Sequence, residues 1–247
     1  MLYFNDFPKL QYKFGNETDA TIFQDISIYS DVVDQIKDSI SLLNLHTIQE
    51  GFRPDQVSIQ LYGTSLYYWT FYLMNDSIRE QGWPLNRHEL ETYTRKVFPN
   101  TVLTTRDSGL GTKFKVGQTV SGGTSGASGT IIKRNLDLGQ IFIKSDVGFS
   151  QGGELLTSVN SSGVSETLSS VSSSKEYLAA SHYIDGSSNI VDIDPAIGPG
   201  ALLTEKTNED VYFATNEALR QIKIISHRDK REWNLQSKYS IGNVKKA

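Results

Sequence analysis

HTIQEGFRPDQVSIQLYGTSLYYWTFYLMND, residues 46–76, is the best-patterned stretch of the chain and decides how the rest is read. LLNLHTIQ (42–49) leads into it as a strand, and Gly51 starts a turn. Pro54 suits a first helical residue, Val57 and Leu61 share a face, and Gly63 stops the helix. Ser65 can cap a second short helix that places Leu66, Trp69 and Leu73 inward, with Asn75-Asp76 ending it. A third helix is marked by a capping box of Asn86 and Glu89 and a staple of Leu85 and Leu90. Leu90, Tyr93 and Val97 form its expected buried stripe, and Pro99 marks its end.

Outward from this core region the pattern changes. Residues 1–41 read as an aromatic-rich extended arm, then a helix capped by Ser30 with Val33, Ile36 and Ile40 on one face. Residues 109–157 turn to glycine punctuation and β-branched alternation. FKVGQTV, GTIIKR, GQIFIKS and GGELLTS read as short strands of a small antiparallel module. Phe114-x-x-Gly117 recurs as Phe149-x-x-Gly152, which suggests a module closing on its own beginning. Nine of the seventeen residues at 158–174 are serine, a composition with too little apolar surface to offset its ordering entropy, so a linker is expected. In the C-terminal arm, 175–247, the run NEALRQIKIIS (216–226) divides: Glu217 to Arg220 favour helix, and the isoleucines favour strand. A turn leading into a strand is the reading.

Charge is sparse over the 247 residues, with 24 Lys and Arg against 28 Asp and Glu, a net −4 that argues against a general nucleic-acid coat. It is unevenly placed. From Arg220 onward eight Lys and Arg face only Asp229 and Glu232, so the tail is +6 and residues 1–219 are −10. A solvated terminus is one reading and an arm that docks on an acidic partner surface the other. No nucleic-acid motif accompanies the tail. Without cysteine, disulfides, thiolate metal sites and a cysteine nucleophile are excluded. The longest nearly apolar run, Leu66 to Met74, falls far short of the ~20 residues of a membrane helix. MLYFNDFPKLQYK lacks a basic then apolar leader pattern, so no secretory signal is expected.

Motifs of catalysis are incomplete. GGTSGASGT (122–130) lacks the lysine that a phosphate loop needs after its last glycine and reads as a flexible β-turn. GLGTKF (109–114) lacks the third glycine of a dinucleotide fingerprint, and Ser125 is followed two positions on by Ala127 rather than the glycine of a nucleophile elbow. His88-Glu89 has no second histidine four residues later, and His46, His88, His182 and His227 are scattered, so no metal site is expected. Asp192 and Asp194 sit in an acidic turn before Pro195.

Two resemblances give these pieces a context. Residues 46–76 resemble a LysM module: strand, Gly51 turn, helix, Tyr62-Gly63 break, a second helix with Trp69, then Asn75. The resemblance places the second strand near Arg79–Leu85; Phe52-Arg53-Pro54 departs from the family's acidic-Thr step on the glycan-groove loop. More broadly, LYG…YYWTFYLMND…GW (61–83), HYIDGSSNIVDIDP (182–195) and NEALRQIKIIS (216–226) are similar to the baseplate wedge proteins of contractile-tailed, T-even-like phages, the gene fifty-three family. The FxVG…SGAxG pattern of 109–157 resembles β-modules of phage virion proteins.

The expectation is therefore an α+β protein: a small LysM-like module with its following helix (42–99) and an inserted small antiparallel β module, joined by extended arms. The resemblance implies a non-catalytic structural subunit in the virion, made in the host cytoplasm, that joins adjacent wedges around the tail hub. Its partners would be other wedge subunits, neighbouring wedges and hub proteins, with no cofactor, nucleic acid or membrane. A LysM-type glycan binder is the alternative. Tyr67, Tyr68 and Tyr72 lie off the expected core stripe and, with Arg220, Lys223, Arg228, Lys230 and Arg231, are the candidate partner-binding residues.

Overall fold

The computed structural model describes residues 9–16, 18–25, 37, 43–145 and 147–225. The chain is mixed α and β with small antiparallel sheets, and it divides into two compact units, one of residues 1–86 with 216–247 and one of 87–215. The expected helix capped by Ser30, and the basic residues Arg228, Lys230 and Arg231, lie outside the described residues.

The first unit is built on β3 (Leu43–Thr47) and α1 (Pro54–Tyr62). Proline opens α1, where its missing N–H is no loss, and the Arg53 N–H donates to the Gln56 side chain at 2.9 Å. Gly63 closes it at φ 72°, a left-handed conformation open to glycine, and its N–H donates to the Ile59 carbonyl at 2.8 Å. Beyond it the expected register fails. The Thr64 hydroxyl, not Ser65, accepts the Leu66 N–H, and Ser65–Tyr67 is a turn of 3-10 helix before α2 (Trp69–Met74). A tighter turn advances the helical phase. The face that goes inward is Thr70, Phe71 and Met74, while Leu66 is 40% exposed and Trp69 half-buried. Phe71 is wholly buried, stacked on Tyr62 at 6.0 Å and beside Trp83 at 6.0 Å.

The strand expected near 79–85 is not there. Asp76–Gln81 is a helix, α3, because Ile78 is its only large apolar residue and a single helical turn suffices to bury it. The partner of β3 is instead β13 (Gln221–Ile225), antiparallel from Gln221 opposite Thr47 to Ile225 opposite Leu43. Alternation buries Ile222 and Ile224 against Ile48, Val57, Tyr62, Phe71 and Ile78. N-terminal to this, β1 (Lys9–Tyr12) and β2 (Thr21–Gln24) form a hairpin with Leu10 opposite Phe23.

In the second unit, α4 (Arg87–Val97) buries Leu90 and Thr94 rather than the expected Tyr93 and Val97, which are 48% and 38% exposed. The Thr94 hydroxyl is satisfied by the Leu90 carbonyl at 2.8 Å, which lets a polar residue occupy the buried face. Tyr93 turns to Tyr212 of α5 (Asn208–Leu219), ring centroids 6.1 Å apart. That helix, with a first turn containing Glu209 and Asp210, replaces the turn expected before the last strand.

Between α4 and α5 stands a closed six-stranded barrel, larger than the module expected at 109–157. Its order is β4 (Thr101–Thr105), β7 (Gln140–Ile143), β6 (Ser128–Asn135), β5 (Thr119–Gly122), β8 (Leu155–Val159), β9 (Ser165–Lys175) and back to β4. Leu103, Phe114, Val120, Ile131, Ile141, Ile143, Phe149, Leu156 and Leu168 fill it. Both phenylalanines of the Phe-x-x-Gly pair are thus core, but closure is made by β9 on β4. The expected serine linker is strand β9: it pairs with β8 over Ser165–Ser169 and with β4 over Ser170–Lys175. A strand partner for each half takes up much of its backbone hydrogen bonding, so one buried leucine, Leu168, suffices where composition alone predicts disorder. The C-terminal region is no arm up to residue 225. β10 (Ala180–Ile184) pairs with β11 (Ile190–Val191) and β12 (Thr204–Thr207) before α5.

Candidate functional site

The first unit is held together by two buried asparagines that act as short pieces of strand. Asn75, at the end of α2, donates from Nδ2 to the Phe71 and Lys223 carbonyls, both at 2.8 Å, and accepts the Lys223 N–H at 2.7 Å. β13 therefore has β3 on one edge and an amide side chain on the other. Asn216 does the same for Leu85, accepting its N–H at 2.8 Å and donating to its carbonyl at 3.0 Å. The Tyr62 hydroxyl reaches the Ile225 carbonyl at 3.1 Å, and burial pushes that phenol up to about 12, keeping it a neutral donor. These contacts tie residues 62–85 to 216–225 across more than half the sequence.

The candidate side chains fall into different environments around this junction. Tyr67 is half-buried and packs edge-on against Tyr62 at 6.0 Å, so much of its ring serves the core. Tyr72 is half-buried beside Trp83 at 6.0 Å; burial first, and Tyr68 nearby, push its phenol up. Tyr68, 36% exposed, is the most open of the three. Arg220 is turned inward. Its side chain is 14% exposed, with Nε 3.1 Å from Glu217 and a terminal nitrogen 3.9 Å from Glu50, and its carbonyl accepts the Ile48 N–H. Lys223 contributes its backbone to the Asn75 clamp and keeps an exposed side chain.

Three features lie outside the sequence-based candidates. Trp83 donates its Nε1–H to the Phe52 carbonyl at 2.7 Å and seals the core beneath the tyrosines; only its type hinted at this. The β1–β2 hairpin puts Leu10, Tyr12, Phe14 and Phe23 together, 42–59% exposed, with Phe14 edge-on to both Tyr12 and Phe23. His46 lies opposite Ile222, and its Nε2 is buried with no hydrogen bond among the described residues.

His46 makes a pH prediction. Burial lowers its pKa from 6.5, so the unfolded chain takes up the proton first. Stability should fall as pH drops through 6.5 and level off once the folded form also protonates. Urea midpoints at pH 8 and pH 5 should show the fall, and His46→Leu should flatten it; an unchanged slope in the variant would refute the assignment.

Asp192 and Asp194 are exposed, and Asp194 caps its own turn through the Ala196 N–H at 2.9 Å. Among the described residues no group of three or more His, Asp or Glu could hold a metal ion, and no helix is long and apolar enough to cross a membrane. No protein-family model matches the chain, and no curated protein matches it.

Proposed function

We propose that the protein is a non-catalytic subunit of a contractile phage tail baseplate that joins adjacent wedges around the central hub. The observation that carries this reading is the meeting of two sequence blocks. Residues 61–83 and 216–226 carry the resemblance to wedge proteins from opposite ends of the chain; Asn75 fastens one to the other through Lys223, and Asn216 holds Leu85, just beyond the first block. Two such segments with unrelated roles would have no reason to share a core. The half-exposed apolar face of the β1–β2 hairpin supports assembly as the use of the unit, since a two-stranded hairpin has little stability of its own and gains it by docking. Neighbouring wedge subunits are the partners proposed, and the virion is the proposed location.

The basic C-terminal residues supply the test. Reversing Arg228, Lys230 and Arg231 to Glu should leave the circular dichroism of the isolated protein unchanged. Association with other wedge subunits should slow, most clearly at low salt, because steering is screened over about 8–10 Å at physiological ionic strength. Tails assembled with the variant should stall as unjoined wedges. Complete hexagonal baseplates from it would overturn the docking role of the tail.

A LysM-type glycan-binding reading has one observation in its favour: in the first unit β3 is followed by the helices α1, α2 and α3, and β13, which returns after the inserted residues, pairs with β3 in an antiparallel two-stranded sheet. Retention on insoluble peptidoglycan that chito-oligomers compete away would replace the wedge reading with this one.

A further inference from the structure

The glycine turn that resembles an incomplete phosphate loop is occupied. Between β5 and β6 the chain folds back through Gly126, at φ 66°, with the Gly126 N–H on the Gly122 carbonyl and the Gly122 N–H on the Ala127 carbonyl. This points the N–H groups of Thr124 and Ser125 at one place, where both reach Oε2 of Glu154 at 2.9 Å. The Ser125 hydroxyl donates to Oε1 at 2.7 Å, and so does the Ser150 N–H. Four donors thus converge on the carboxylate of Glu154, a residue 7% exposed, and among the described residues all four come from backbone N–H groups or a serine hydroxyl rather than a cation. The space is shaped for it: a Cβ on Gly122 would collide with the Glu154 carboxylate. The backbone of Glu154 is fixed as well, its N–H donating to Ser170 Oγ at 2.9 Å, and that hydroxyl donating to the Glu154 carbonyl at 3.0 Å.

The position in the barrel gives the contact a role. β5 and β6 are hairpin neighbours, but β7 and β8 are separated in the barrel order by β6 and β5. The connection from β7 to β8 must therefore cross the barrel end at which the β5–β6 turn lies. It carries Phe149, which is 5% exposed in the barrel core, so the crossing segment also plugs that end. Glu154 and Ser150 flank the point where this segment meets the turn.

We propose that the turn at 122–126 is a carboxylate-binding nest whose resident ligand is Glu154, that the pair is a latch fastening the Phe149 segment across the barrel end, and that the emptied nest accepts a small carboxylate from solution. Backbone N–H groups converging in a turn are an anion site of known kind. A carboxylate meets this one with both oxygens, and an amide does not, because its NH2 would face donors. Burial raises the pKa of Glu154, but the N–H groups of Ser125, Ser150 and Thr124 and the Ser125 hydroxyl outweigh it and hold it at about 2. The latch therefore stays charged, and closed, at every physiological pH; its contribution to stability is present above 4.5 and lost as pH falls toward about 2.

The test uses the full chain. Glu154→Ala should lower the thermal midpoint by roughly 5–10 °C. In this variant sodium formate should recover part of that loss and sodium chloride at the same ionic strength should not, whereas the parent protein should respond alike to the two salts. A variant midpoint equal to the parent's, or equal responses of the variant to formate and chloride, would overturn the proposal. Should Glu154→Ala fail to fold, the carboxyl carbon of Glu154 can be followed by NMR in the parent chain and in Ser125→Ala. A titration well below 4.5 that moves upward in Ser125→Ala supports the latch. Titration near 4.5 in the parent, or no movement in the variant, overturns it.

Discussion

Replacing Phe71 by alanine should unfold the first unit or bring it to the edge of unfolding, whereas Trp69→Ala should be mild. Phe71 has no exposed surface and lies between the Tyr62 and Trp83 rings, each with its centroid 6.0 Å away. Deleting such a ring removes its transfer free energy and leaves a cavity that the stacked neighbours cannot close without breaking their own hydrogen bonds, Tyr62 to Ile225 and Trp83 to Phe52. The expected loss is about 3–5 kcal/mol. A whole domain commonly has only about 5–15 kcal/mol of net stability, so a unit this small has little to spare. Trp69 is half-buried, and its truncation should cost under about 2 kcal/mol. Thermal unfolding followed by tryptophan fluorescence and far-ultraviolet circular dichroism separates the two. Equal effects, or a larger one at Trp69, would mean that the 3-10 turn at Ser65–Tyr67 does not set the helical phase as described.

That pair of residues shows where sequence was informative and where it was not. β3 and α1 were legible because their signals are local: an apolar run, a proline at the first helical position, a glycine past the last. The face of α2 was not, since three residues of tighter helix shift every later side chain and nothing in SLY announces them. The strand paired with β3 was legible as a strand in QIKII, but its pairing depends on a partner that precedes the whole second unit in the sequence, and no periodicity encodes that. The serine stretch misled for a related reason. Composition measures what a segment can bury, and β9 is held chiefly by what its backbone can pair with. Among the candidate residues, side-chain type left the direction of the contact open: Arg220 meets the carboxylates of Glu217 and Glu50, on its own chain.

Asn75→Ala should release β13 from the first unit, with a loss of about 3 kcal/mol. The side chain makes three hydrogen bonds in a site where it is 8% exposed, two of them to the N–H and carbonyl of Lys223. Alanine removes all three and admits no group in their place. A buried donor or acceptor left without a partner costs about 1–3 kcal/mol, so the orphaned Lys223 backbone outweighs the bonds themselves. Relaxation by letting water reach Lys223 would require β13 to move away from α2, and Ile222 and Ile224 would then leave the core. Amide exchange reads this directly. In the parent, the Lys223 N–H should exchange as slowly as the Ile48 N–H, which is bonded to Arg220. In Asn75→Ala both should exchange faster, with the Val120 and Ile131 amides of the barrel unchanged. Asn75→Asp is the sharper variant: it keeps the acceptor for the Lys223 N–H, loses the donor to the Lys223 and Phe71 carbonyls, and brings a charge into the site, so at neutral pH it should destabilise at least as much as alanine and recover as the carboxylate protonates. Protection of Lys223 that survives both substitutions would show that β3 alone holds the strand.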